Sequence, residues 1–77
     1  MAFVENFVEI QKDRTQLHAP VHATCNVFHE YGRTIFQIDT YGSAEREFVG
    51  KVSQSIQFDK ESAKLLIEKL KKTFDLE

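Results

Sequence analysis

Residues 33–41, RTIFQIDTY, and residues 53–58, SQSIQF, lead into residues 59–74, DKESAKLLIEKLKKTF, and this succession decides the fold. In the first run Thr34, Phe36, Ile38 and Thr40 alternate with Arg33, Ile35, Gln37, Asp39 and Tyr41, the period of two that puts neighbours on opposite faces of a strand. Val52, Gln54, Ile56 and Phe58 alternate in the same way with Ser53, Ser55 and Gln57. The last run changes period. Ala63, Leu66, Ile67, Leu70 and Phe74 recur at three- and four-residue spacing, so a helix is predicted with one apolar stripe. Asp59 suits its N-cap, because a carboxylate accepts from the unpaired backbone donors of the first turn, and Glu61 adds negative charge at the positive end of the helix dipole. Lys69, Lys71 and Lys72 gather at the opposite end, where cations are favoured.

Upstream, Val21, Ala23, Cys25 and Val27 alternate with His22, Thr24, Asn26 and Phe28, which reads as a half-buried strand. The stretch HEYGR then supplies a turn, with Gly32 the natural residue for a positive φ, so two antiparallel strands are expected to meet there. Phe3–Ile10 reads as a short first strand, followed by a polar connection that ends at Pro20. Gly42 and Gly50 bracket SAEREFV, a connection long for a plain hairpin and rich in charge. The expected architecture is therefore α+β: a four-stranded antiparallel meander with one C-terminal amphipathic helix, ββββα. The helix stripe would cover the face carrying Phe36 and Ile38, leaving Ile35 exposed on the other.

The chain has 77 residues, enough for one domain spanning 1–75, with Leu76 and Glu77 read as an expression scar. So small a domain buries only about 60% of its unfolded surface and leans on metal, disulfides or a second subunit. A single cysteine, Cys25, forms no internal bridge; its place between Ala23 and Val27 predicts a buried, inert thiol. His18, His22 and His29 lack zinc-site spacing, no phosphate-cradling glycine loop is present, and Asp39 with Glu30 makes no convincing acid pair. No cofactor, metal or enzymatic role is expected. Self-association is the remaining source of stability, so a homodimer is expected. The net charge of −2 argues against binding duplex DNA by bulk positive charge. No apolar run spans a membrane, no signal peptide is recognisable, and the lone thiol suits a reducing cytoplasm.

The face opposite the helix mixes hydrogen-bonding side chains with aromatics. Phe28 and Tyr41 would stack on unpaired bases, each stack being worth roughly 1–3 kcal/mol, while Arg33, Arg46 and Lys51 would meet phosphates. Gln37, Ser53 and Ser55 complete this candidate surface. The same apolar groups would equally serve a protein interface, which is the competing expectation.

Gly32-Arg33, the run Phe36-Gln37-Ile38-Asp39-Thr40-Tyr41, Gly50-Lys51, Ile56-Gln57-Phe58 and the acidic cap at Asp59 follow one another in an order that resembles the single-stranded-DNA-binding domain of the transcriptional positive cofactor four family. The pattern QIDTYGS, GK, SQSIQFD also resembles that of small uncharacterised bacterial and phage proteins. The cofactor resemblance runs from about Cys25 to Phe74 and implies a dimer of four-stranded sheets, each with a C-terminal helix, gripping single strands in transcription or replication. Departures lie at the contacts. Asp39 stands where that family has an arginine, Gly42 where it has an aromatic residue, and Ser53 and Gln54 where it has basic ones.

Overall fold

The computed structural model describes residues 1–43 and 51–77; the 44–50 segment of the charged connection, with Arg46, lies outside the described residues. Four strands and one helix follow in chain order: β1 (Ala2–Phe3), β2 (Val21–Glu30), β3 (Arg33–Ser43), β4 (Val52–Phe58) and α1 (Lys60–Phe74). The α+β class and the C-terminal helix agree with the sequence. The sheet does not agree in one respect. Its order is β1-β4-β3-β2, and β1 lies parallel to β4, so the sheet is mixed rather than an antiparallel meander. The predicted strand at Phe3–Ile10 shrinks to Ala2–Phe3. A meander would have set it beside β2, but the chain instead pairs Phe3 with Gln57, and Val4 N–H donates to the Gln57 carbonyl at 2.9 Å. Residues 4–20 then form a connection without regular structure that returns to β2.

The β2–β3 hairpin turns on Tyr31 and Gly32, both with positive φ, at 54° and 73°. Two consecutive left-handed residues form the tight turn whose twist matches that of the strands it joins. An added Cβ at Gly32 would meet nothing within 4 Å, so only the backbone conformation opposes a substitution there. Gly32→Ala is expected to lose about 1 kcal/mol of stability in urea denaturation, with Gly32→Asn losing less.

Asp59 caps α1 as its sequence position predicts. Its Oδ1 accepts from Ser62 N–H at 3.1 Å, and its own N–H donates to Ser62 Oγ at 3.1 Å, closing a reciprocal box with serine at the third position. The Ser62 N–H, foremost, holds the Asp59 carboxyl below its ordinary value of 3.8, and Arg33 lowers it further. Residues 7–11 run beside the helix and line a groove with Leu65 and Lys69. There Lys69 Nζ donates to Glu9 Oε1 at 2.9 Å and holds that carboxyl below 4.5. An acid with a depressed pKa stabilises the fold above its unfolded value, and that contribution disappears as pH falls through the lowered one. Acidification below these ordinary values should therefore lower the unfolding midpoint, and in Glu9→Gln and Asp59→Asn variants followed by circular dichroism the loss should be smaller.

The two faces of the sheet are covered differently from expectation. Among the described residues Ile35, at 5% exposure, and Phe58, at 6%, are the buried apolar side chains. Phe36 is 40% exposed and Val27 57%, while Cys25, expected to be buried, is exposed. The helix does not lie across β2 and β3; of the strands it packs chiefly on β4, where the chain enters it. Its stripe does not close the Phe36 face, and Ile67 and Phe74 stay exposed too. Ile35 is buried instead because Phe3, brought in by the parallel strand, gathers around it with Phe28, Arg33 and Gln57.

Candidate functional site

Strand register sets polar side chains in two rows across the face that carries Ile35. Asn26, Gln37 and Gln57 stand side by side on β2, β3 and β4, and Thr24, Asp39 and Ser55 form the adjoining row. The rows are tied together. Gln57 Nε2 donates to Gln37 Oε1 at 2.7 Å, and Gln37 Nε2 donates to Asp39 Oδ1 at 2.8 Å, so the amides are oriented in one direction. The Ser55 hydroxyl donates to the same Asp39 oxygen. Gln37, Asp39, Ser55 and Gln57 are all half-buried, which strengthens these bonds relative to the surface and raises the cost of losing an acceptor. At the edge of this ladder the Thr24 and Tyr41 hydroxyls meet at 2.8 Å.

One end of the face closes into a shallow hollow of about 230 Å³ lined by Phe3, Phe28, Arg33, Ile35 and Gln57, among others. The Arg33 guanidinium carbon stands 5.1 Å from the centre of the Phe3 ring, within cation–π range. Its Nη1 also reaches Asp59 Oδ2 at 3.4 Å. Arg33 therefore joins the hairpin, the first strand and the helix cap; its half-exposed guanidinium keeps other N–H donors for a further anion, with its charge partly offset by Asp59.

The face thus brings together Phe28, Arg33, Gln37, Tyr41 and Ser55. Lys51 is exposed just ahead of β4. Ser53 is exposed at an irregular step, where Thr40 pairs with Gln54 but Tyr41 pairs with Val52. Arg46 lies outside the described residues. Sequence reading missed Asp39 as the shared acceptor of the ladder and Phe3 as the partner of Arg33. The spacing of Gln37 with Asp39 and of Ser55 with Gln57 carried a signal for the ladder, because residues two apart share a face. Nothing local marked Phe3.

His29 Nδ1 lies 3.0 Å from Thr34 Oγ1, and among the described residues no three acidic, histidine or cysteine side chains cluster as a metal site would require. No helix among the described residues is long and apolar enough to cross a membrane. The chain matches no protein-family model, no curated protein and no solved structure. Its site is argued from its own chemistry.

Proposed function

We propose that the polar sheet face binds single-stranded nucleic acid, DNA first among the candidates, in a transcription or replication accessory role. The observation that supports this reading is the open ladder itself: oriented amides and hydroxyls on a sheet surface, flanked by Phe28 and Tyr41. Amides offer both donors and acceptors to base edges, and aromatic rings offer a stacking surface to any base. Asp39 at the centre of the ladder repels phosphate. The strand would accordingly turn its bases to the sheet and its backbone to Arg33 and Lys51 at the rim, with Arg46 a further candidate cation from the sequence alone.

Fluorescence anisotropy with labelled oligo-dT at low salt tests the reading. Three phosphate contacts in each protomer of a dimer give a log–log salt slope of about −4. No binding at tens of micromolar protein would remove it. Asp39→Asn keeps an acceptor oxygen and removes the charge. A charge about 7 Å from a phosphate in water costs roughly 0.6 kcal/mol, so this variant should bind about threefold more tightly.

A second reading, a protein-interaction or regulatory adaptor module, draws on the exposed apolar groups of the other face, Val27, Phe36 and Ile56. Ile35, expected from the sequence to be exposed, is buried and is not available to a partner. Pull-down of a protein after nuclease treatment, lost on Phe36→Asp, is the result that this reading requires.

A further inference from the structure

The face opposite the ladder is built from four rows: Ala23–Thr40–Gln54, Cys25–Ile38–Ile56, Val27–Phe36–Phe58 and His29–Thr34. None of these positions holds an acidic, lysine or arginine side chain, although such residues make up 29% of the chain. Val27, Phe36 and Ile56 are 57%, 40% and 41% exposed. On α1 the row Ile67, Leu70 and Phe74 is likewise exposed, while Ser62 and Leu66 turn toward the body of the chain. A single chain therefore presents an uncharged sheet face and an exposed apolar row on the helix.

We infer that a second copy of this chain covers both, the helix row of each protomer lying on the sheet face of the other in a two-fold, self-complementary interface. The areas support this occupant. The chain exposes 7109 Å², whereas a compact monomer of its mass exposes about 4,900 Å². Its radius of gyration is 14.5 Å, against about 11–12 Å for a compact domain of this length. The surplus, about 2,200 Å² for one chain, is more than the roughly 800 Å² per partner that a standard interface takes. The wholly exposed connection 11–20 accounts for part of it. The apolar rows account for the part that water disfavours most.

The dimensions also agree. Ile67 to Phe74 rises about 10 Å along the helix, and two strand spacings, from β2 across β3 to β4, measure about 9.6 Å. Reciprocal docking needs only one matching pair of surfaces, used twice. This assignment does not rest on the nucleic-acid reading, which uses the opposite face.

Sedimentation equilibrium of the nuclease-treated protein, paired with thiol labelling of Cys25, tests it. At tens of micromolar the expected mass is twice the 9.0 kDa of one chain. Cys25 should label at least tenfold more slowly than in unfolded protein, because its row is covered. Leu70→Asp on the helix and Val27→Asp on the sheet should each raise the dissociation constant at least tenfold, while Lys64→Ala should leave it unchanged. If an Asp variant fails to fold, the wild-type mass and labelling rate still decide. A folded 9.0 kDa monomer with freely labelled Cys25 overturns the inference. So does a dimer whose constant ignores both Asp substitutions, or a chain held only in complex with another protein.

Discussion

Ile35→Ala should lose about 2–5 kcal/mol of stability, the expected cost of truncating a well-buried isoleucine. Total stabilities of small domains are about 5–15 kcal/mol, so this is a large share of what is available. Ile35 is 5% exposed beneath Phe3, Phe28, Arg33 and Gln57, and these neighbours come from β1, β2, β3 and β4. Its truncation removes the apolar centre against which the parallel strand β1 is held. Phe36, one residue later, points to the other face and is 40% exposed. Phe36→Ala should also lower the urea midpoint, through the paired face rather than through the hollow around Ile35. A midpoint for Phe36→Ala equal to wild type at the same protein concentration would contradict the covering of that face.

Asp39→Ala is expected to be nearly as damaging to the ladder as Ile35→Ala is to the core. Gln37 Nε2 and the Ser55 hydroxyl both donate to Asp39 Oδ1, and truncation leaves both half-buried donors without that acceptor. A buried polar group left unsatisfied costs about 1–3 kcal/mol, and partial exposure places this loss toward the lower end for each group. Asp39→Asn retains an acceptor and should recover most of the difference. The pair of variants therefore separates the two roles of Asp39: alanine tests its place in the ladder, asparagine its charge toward a nucleic acid. A stability for the alanine variant equal to wild type in urea would show that the ladder does not hold this face together.

Local signals made much of the architecture legible. Asp59 announced the start of α1, the period-two runs located β2, β3 and β4, and Gly32 located the hairpin, each through interactions within a few residues. Membership of the two faces was also legible, since alternation alone separates Ile35, Gln37 and Asp39 from Phe36 and Ile38. Which face would be buried was not. That depends on where the helix and the N-terminal segment settle, and the decisive element, Ala2–Phe3, pairs with residues 56 and 57 at the far end of the sequence. Two residues carry no period by which to be recognised. The same long-range pairing altered the reading of Arg33, which as a sequence position is a free cation and in the fold is divided between the Phe3 ring and the Asp59 carboxylate. The polar ladder escapes the sequence because Asp39 reads there as a possible partner acid for Glu30 rather than as the common acceptor for Gln37 and Ser55.

Among the described residues Ile35 and Phe58 are the buried apolar side chains, one on each face of the sheet, a small core for a chain of 77 residues, and the inferred second copy would make folding and pairing one event. The direct test is urea unfolding followed by far-ultraviolet circular dichroism at 1 µM and 100 µM total chain. For a folded dimer in equilibrium with unfolded monomers, a hundredfold rise in concentration adds about 2.7 kcal/mol by mass action, which moves the midpoint upward by about 1 M urea. A midpoint that stays fixed across that range would mean that one chain folds without its copy, and would contradict the account.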